Sequence, residues 1–310
     1  MTDLILHHYT SSPFSEKVRL ILGYKGLAWR SVNIPRIMPK PDVVALTGGY
    51  RRTPVLQVGA DIFCDTALIC DVLEHLHPTP SLYPEPVKGL ARVLAQWADT
   101  TLFWTLIAGP KPAEHFYGGM PGAAQAFAQD RDAMIGSMVR PRAPDASAAA
   151  RSYLRRLNNM LQEQDWLTGA VPSVADFAVY HSLWFTRIRS PIEADSLQHL
   201  GALAQWMERM QAIGHGDMLG FDSALAIAVA AAAQPAVPGS GLLRDSAFQD
   251  DHGIALGSAV RIRAESFGAE ETEGTLVAAT RTHFSLRRVD RRAGTVHVHF
   301  PRIGYVLTKT

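Results

Sequence analysis

The chain has 310 residues, a formal net charge of +1, and 47% hydrophobic residues. This length and apolar content predict two or three domains with ample material for a hydrophobic core. The nearly neutral charge argues against a general attraction to nucleic acid or to a membrane surface.

The sequence contains no pattern typical of export or membrane insertion. Asp3 and two histidines interrupt the early apolar run, so we expect no secretory signal. The longest apolar stretch, residues 224–233, is about half the length that a membrane span requires. The two cysteines, Cys64 and Cys70, are typical of a reducing compartment, and we expect both to be buried as small apolar side chains. These features predict a cytoplasmic protein.

The first 82 residues alternate short apolar strands with helices. The predicted elements are strand 4–8, a helix from residue 14, strand 28–33, an irregular helix at 42–46, strands 54–58 and 61–64, and a helix at 65–75. Gly59-Ala60 marks the turn between the paired strands, and the segment 79–84 is predicted to be a linker. This order predicts an α/β domain over residues 1–82.

The loop at residues 9–15 lies between the first strand and the first helix. Ser12 followed by Pro13 is typical of a helix start, because the hydroxyl caps the free N–H groups and proline favours the first helical position. A helix N-terminus is partly positive and favours a thiolate. The loop therefore predicts either a thiolate site or a capped helix without chemistry.

Two later segments extend this pattern. Thr53-Pro54 opens a strand, and Asp65-Thr66 opens a helix. Together with Ser12-Pro13, these segments resemble the glutathione transferase family, and residues 1–82 resemble its thioredoxin-fold domain. The resemblance implies that Pro54 is cis, so that Thr53 pairs its backbone with the cysteine of glutathione.

The resemblance also implies glutathione as a co-substrate, without a metal. Asp65 would bind the γ-glutamyl ammonium group, and the hydroxyl and N–H groups of Thr66 would bind the adjoining carboxylate. Arg52 stands where plant-type members carry a lysine that contacts the ligand. Together with Thr53 and Pro54, these residues form the expected glutathione-binding set.

Ser12 is the expected stabiliser of the thiolate. One hydrogen bond to a charged group contributes about 1.5–3 kcal/mol, enough to lower a thiol pKa by about one to two units. Ser11 is the alternative if the helix begins one residue earlier, and Tyr9 lies where other classes keep an activating tyrosine. Ser15 replaces the second cysteine of redox relatives, which argues against dithiol chemistry.

Residues 83–234 show helical periodicity. Ser173 and Asp176 form a capping box before an apolar run, which predicts a buried central helix and is a second match to the family's helical domain. The resemblance implies a homodimer and an electrophile pocket between the two domains. The candidate pocket residues are aromatic and lie near that junction: Phe14, Phe103, Trp104, Phe116 and Tyr117.

The resemblance ends near residue 215. Residues 224–233 predict one more helix, residues 235–256 a linker, and residues 257–310 contain five short strand patterns at 259–264, 274–280, 284–289, 295–300 and 305–308. This spacing predicts a small β-barrel of the SH3-like type. We refer to residues 257–310 as the tail, and we assign it to no family.

The tail is basic, with nine Arg or Lys against five Asp or Glu. Nucleic-acid binding is one interpretation, but docking onto the other domains is favoured, because acidic residues in the segment 265–273 could pair with the arginines clustered at 281–292. His297 and His299 share one strand face. Without a third ligand, they predict a solvent-exposed face rather than a metal site.

The sequence therefore predicts a thioredoxin-like α/β domain, an all-α domain and a small β-barrel. The first functional hypothesis is a glutathione transferase that conjugates glutathione to a small apolar electrophile. The alternative is a non-catalytic module of the same fold, whose tail contacts a protein or nucleic-acid partner. Retention of Ser12, Pro54 and Asp65-Thr66 favours the first hypothesis.

Overall fold

The computed structural model describes residues 3–109, 112–118, 121–136, 138–189, 199–239, 242–243 and 245–310. Its first region contains β1 (Ile5–His8), α1 (Pro13–Tyr24), β2 (Ala28–Asn33), α2 (Pro41–Thr47), β3 (Val55–Val58), β4 (Asp61–Cys64) and α3 (Thr66–Leu76). β1 pairs in parallel with β2 and antiparallel with β3, which pairs antiparallel with β4. This is the predicted thioredoxin-like arrangement. The segment expected to be an irregular helix is the regular helix α2.

The second region is helical. It contains α4 (Lys88–Trp97), a π-helical turn (Ala98–Leu102), α5 (Phe103–Ile107), a 3₁₀ turn (Glu114–Tyr117), α6 (Ala123–Ile135), α7 (Ala143–Met160), α8 (Val174–Arg189) and α9 (Gly201–Ala212). α8 is buried along most of its length and packs against α1 and α4. Its first turn is held by Asp176, which accepts from the N–H groups of Ser173 and Leu167, both at 2.9 Å. This confirms the predicted central helix.

The chain then returns to the first region. β5 (Asp217–Gly220) pairs in parallel with β2, and α10 (Ser223–Ala232) packs against α2. The carbonyl of Ala226 accepts a 2.8 Å hydrogen bond from Gln57 on β3. The sequence predicted α10 but missed β5. All four β5 residues are exposed, so the strand shows no alternation of apolar and polar side chains.

The tail forms the five predicted strands. They are β6 (Ala259–Ala264), β7 (Thr272–Ala279), β8 (His283–Asp290), β9 (Gly294–Pro301) and β10 (Tyr305–Lys309). Each of the first three pairs antiparallel with the next, and β10 pairs antiparallel with β6.

The expected separate barrel is not confirmed. β9 pairs in parallel with β4, so the ten described strands follow one open order, β10-β6-β7-β8-β9-β4-β3-β1-β2-β5. Ile62 of β4 and Val298 of β9 belong to one apolar core. The preferred expectation, docking of the tail onto the rest of the chain, is confirmed, because β4 offers a strand edge that β9 completes.

The expected pairing of the acids at 265–273 with the arginines clustered at 281–292 is wrong for the ion pairs of the described residues. Glu271 pairs with Arg261 at 3.2 Å, and Glu270 pairs with Arg51 of the first region. Arg292, from the predicted arginine cluster, pairs with Asp42 on α2 at 2.6 Å. Glu270 therefore pairs with a cation of the first region, and Glu271 pairs with a tail arginine outside the cluster.

The expected solvent-exposed histidine face is also wrong. His297 and His299 are buried, because β4 and the segment after α10 cover this face. Asp61 of β4 accepts from the N–H of Ala236 at 2.8 Å and lies 2.9 Å from Nε2 of His299. Ser285 Oγ lies 2.7 Å from Nδ1 of the same ring. Within the described part of the chain, no cluster of three or more potential metal ligands was found.

Both cysteines, Cys64 and Cys70, are buried free thiols, as expected. Of the helices that the structure describes, none has the length and apolar character needed to cross a bilayer.

Candidate functional site

The N-terminus of α1 carries the predicted serine. Ser12 is the N-cap residue, and its hydroxyl oxygen accepts from the N–H of Ser15 at 3.2 Å. The hydroxyl proton of Ser12 remains available for donation to another group. The side chain is only 2% exposed, so a ligand reaches it only if neighbouring groups move. Ser11 is partly buried and makes no side-chain hydrogen bond to a described residue.

Arg19 holds the loop before α1. Its guanidinium donates to the carbonyls of Thr10 at 2.9 Å and Tyr9 at 3.4 Å, and it pairs with Glu16 at 2.5 Å. Two carbonyls of the loop are therefore fixed by one buried cation. The sequence analysis missed this residue, because an acid and a base three positions apart are common on exposed helices.

Tyr9 is engaged away from the serine. Its hydroxyl accepts from Arg131 of α6 at 3.2 Å, and the ammonium group of Lys40 lies 5.7 Å from its ring centre. The tyrosine thus ties the first region to α6.

The Thr53–Pro54 peptide bond is cis, as the resemblance implied. The backbone N–H and C=O of Thr53 have no hydrogen-bond partner among the residues that the structure describes. The side chain accepts from Nζ of Lys40 at 3.3 Å. Burial lowers the pKa of Lys40 to about 8, and the charge of Arg131 acts in the same direction. Two open backbone groups beside a cation are what an extended peptide ligand needs for pairing.

Asp65 caps α3 in an unusual conformation. Its φ is 76°, in the left-handed region, and it is the only described non-glycine residue with positive φ. Oδ1 accepts from the N–H of Ala67 at 2.9 Å, and Oδ2 accepts from the hydroxyl of Tyr305 at 3.0 Å. Arg52 lies 3.9 Å from the same carboxylate. The carboxylate therefore already has partners from the tail and from the first region.

A buried cation lies behind Thr66. Nζ of Lys17 is 3.3 Å from the Thr66 hydroxyl and 2.5 Å from Asp99, which in turn lies 2.8 Å from Nε2 of His181. Burial alone would raise the pKa of Asp99, but Lys17 and the His181 hydrogen bond hold that pKa below its ordinary value. The sequence analysis missed this network, since its members are far apart in the chain.

The structure brings the five aromatic candidates into one cluster. The Phe14 and Phe103 rings lie 4.9 Å apart, and those of Phe116 and Tyr117 lie 5.4 Å apart. Phe185 of α8, which the sequence analysis missed, lies 6.0 Å from Phe103 and 5.7 Å from Phe116 and so connects the two pairs. Trp104 packs against Phe103 at 5.4 Å.

The tail contacts both the Asp65 carboxylate and the aromatic cluster, and we call the space between them the cleft. Phe267, in the loop between β6 and β7, lies 5.1 Å from the Trp104 ring. The N–H of Gly268 donates to the carbonyl of Met134 on α6 at 2.7 Å. Tyr305 of β10 contacts Asp65 from the other side. The sequence predicts that the tail docks onto the other domains, but it does not indicate which residues make these contacts.

Comparison with known proteins agrees with this architecture. Residues 6–81 match the glutathione S-transferase N-terminal domain, and residues 140–209 match the C-terminal domain. A solved GST-like protein from Pseudomonas syringae is 40% identical, with 100% of both chains covered and a TM-score of 0.81. This chain belongs to the glutathione S-transferase family. The similarity to the P. syringae protein extends through the tail.

Other family members match a shorter part of the chain. FtsZ-localized protein A of Caulobacter vibrioides is 28% identical over 187 residues, which cover 56% of this chain and 72% of that protein. A solved glutathione S-transferase of Methylobacterium radiotolerans, in complex with glutathione sulfonate, is 22% identical over 68% of this chain and 91% of its own, with a TM-score of 0.50. The latter similarity shows the fold alone.

Proposed function

We propose that this chain binds glutathione in the cleft between α1, β3 and α3 and transfers its thiolate to a small apolar electrophile. The observation that carries the proposal is the open backbone of Thr53 beside cis-Pro54, since no described part of the fold uses these two polar groups. The match of residues 6–81 to the glutathione S-transferase N-terminal domain supports the choice of ligand.

Each charged group of glutathione would contact a protein group of opposite charge or the N-terminus of a helix. Asp65 binds the γ-glutamyl ammonium group, and Thr66 at the start of α3 binds the adjoining carboxylate, with the Lys17 cation behind it. Arg52 and Lys40 lie near Thr53 and bind the glycyl carboxylate.

Ser12 then donates a hydrogen bond from its hydroxyl to the sulfur and keeps its proton, and the free N–H groups of α1 add to the positive field. A hydrogen bond of about 1.5–3 kcal/mol lowers the pKa of the bound thiol by about one to two units. The thiol proton passes to solvent, the sulfur forms a bond to the electrophilic carbon, and the leaving group departs with its electron pair. The electrophile packs against Phe14 and Trp104, which are both partly buried.

A second candidate function is a non-catalytic module of the same fold. The observation that favours it is the coverage of the cleft: Ser12 is nearly inaccessible, and tail residues contact Asp65 and Trp104. The relative from C. vibrioides is named for its localization to FtsZ. In this candidate the chain serves a protein partner, and glutathione binds without turnover.

We also propose that the protein is a cytoplasmic homodimer. Leu90 and Val93 on α4 are 58% and 70% exposed, and such an apolar face supports a contact between copies. Nucleic-acid binding has less support, because tail arginines such as Arg292 are used in pairs with the first region.

The test combines glutathione affinity, measured by calorimetry, with the conjugation rate towards 1-chloro-2,4-dinitrobenzene. Asp65→Ala should abolish binding. Ser12→Ala should bind within a few-fold of the wild type but conjugate at least about tenfold more slowly. Ser11→Ala is the matched control and should change neither quantity. Binding without conjugation in the wild type would favour the second candidate. Absence of binding at millimolar glutathione, both in the wild type and in variants with weakened tail contacts, would contradict the proposal.

A further inference from the structure

We propose that the tail is an internal competitor of glutathione, with Tyr305 and Glu270 occupying the two polar ends of the glutathione site. This inference rests on the proposed function, since it concerns regulation of that site. The tail must move away from the cleft before glutathione can bind.

Tyr305 takes the place of the ligand's ammonium group. The tyrosine side chain is 5% exposed, and its hydroxyl donates to Oδ2 of Asp65. Oδ1 of the same carboxylate already accepts from Ala67. The guanidinium of Arg52 lies 5.7 Å from the Tyr305 ring centre and 3.9 Å from Oδ2 of Asp65. An incoming ammonium group needs the same oxygen that Tyr305 uses.

Glu270 takes the place of the glycyl carboxylate. Oε1 pairs with Arg51, and Oε2 is buried without a hydrogen-bond partner in the described residues. The Glu270 charge also acts on Lys40 and Arg52, the two cations that the proposed function assigns to the glycyl end. A carboxylate of the protein thus lies among the cations that a ligand carboxylate would need.

The loop that carries Glu270 fits closely into the cleft. A Cβ on Gly268 would lie 2.9 Å from the Met134 side chain and 3.2 Å from Arg52, and a Cβ on Gly49 would collide with the carbonyl of Glu271. Glycine at both positions therefore permits an approach that other residues would block. Phe267, next to Gly268, covers Trp104. The tail therefore contacts the cleft at both of its polar ends and at the aromatic cluster.

Competition has a measurable signature. If only the open fraction of molecules binds glutathione, the apparent Kd exceeds the intrinsic Kd by the inverse of that fraction. Weakening a tail contact raises the open fraction and tightens binding. If Tyr305 and Glu270 instead help to build the site, the same substitutions weaken binding. The two interpretations therefore predict opposite changes in the apparent Kd for glutathione.

The experiment is calorimetric titration of glutathione into the full-length wild type, Tyr305→Phe, Glu270→Gln and the double variant. Each single variant should lower the apparent Kd, by about tenfold for Tyr305→Phe, which loses one hydrogen bond to a charged group. Arg281→Gln is the control. It removes an exposed ion pair with Asp245 that does not join the tail to the first region, and it should leave the Kd unchanged.

A second measurement does not depend on variants. Addition of glutathione to the wild type should accelerate hydrogen exchange at the Gly268 amide, which donates to Met134 in the closed state. Slower exchange at Gly268, or a higher Kd in both single variants, would overturn the competition while leaving glutathione binding intact. Failure of the wild type and of every variant to bind glutathione would overturn both this inference and the proposed function. Binding that appears only in the variants would support the inference.

Discussion

Lys17 is a buried cation that joins the first region to the helical region. Its side chain is 1% exposed and contacts Asp99, which lies between α4 and α5, and Thr66 at the start of α3. Lys17→Met keeps most of the length of the side chain and removes the charge. Among the described residues, the Asp99 carboxylate, 17% exposed, then retains His181 as its side-chain partner. Removal of one partner of a buried pair typically costs about 3–5 kcal/mol, and we expect this loss in the free energy of unfolding.

The assay is urea unfolding at neutral pH, with two comparison variants. Lys17→Met combined with Asp99→Asn removes the unpaired charge but keeps a hydrogen-bonding group near His181, so it should recover most of the loss. Lys88→Met breaks an exposed pair with Glu85 and should cost less than about 1 kcal/mol. A Lys17→Met variant as stable as Lys88→Met would refute this reasoning, and so would a double variant no more stable than the single one.

Three further predictions concern stability and reactivity. Burial lowers the pKa of His7 and His283 to about 4, so acid protonates these residues in the unfolded chain first, and stability should fall as the pH drops from about 6.5 to about 4. At pH 5 the loss in the free energy of unfolding amounts to about 2 kcal/mol for each histidine. In urea unfolding, His7→Gln should lose less stability than the wild type between about pH 6.5 and about pH 5. An equal loss in the two proteins would contradict the assignment. Burial raises the pKa of Cys70 to about 12 and that of Cys64 well above its ordinary value, so neither thiol should react with an aromatic disulfide reagent until urea unfolds the chain. Gly49→Ala should loosen the tail and expose the segment 265–273 to protease, whereas Gly89→Ala, with open space at its Cβ position, should not. Equal cleavage of the two variants would argue against close docking.

The sequence predicted the elements with strong local signals. The capping residues Ser12, Asp65 and Ser173 gave the starts of their helices, and alternating apolar residues gave the five tail strands close to their observed bounds. β5 was missed because it lies at an exposed edge, where burial imposes no alternation. Local patterns identify a strand only where one of its faces is buried.

The relation of the tail to the cleft depends on contacts between distant residues. Asp61 and His297 are adjacent only because β9 completes the edge of β4, and Tyr305 meets Asp65 across 240 positions of sequence. The sequence offered a cluster of acids at 265–273, but nothing local indicated that Glu270 pairs with Arg51. For the same reason the sequence could propose Ser12 as a thiolate stabiliser but could not reveal its burial.

The most direct test of the central claim is the pKa of the glutathione thiol when bound, followed by the ultraviolet absorbance of the thiolate during a pH titration. The ordinary thiol pKa is about 8.5, and the account predicts a bound value about one to two units lower. Ser12→Ala should return the pKa most of the way to the free value. Bound glutathione with an ordinary thiol pKa, or with a lowered pKa that Ser12→Ala does not change, would contradict the assignment of Ser12.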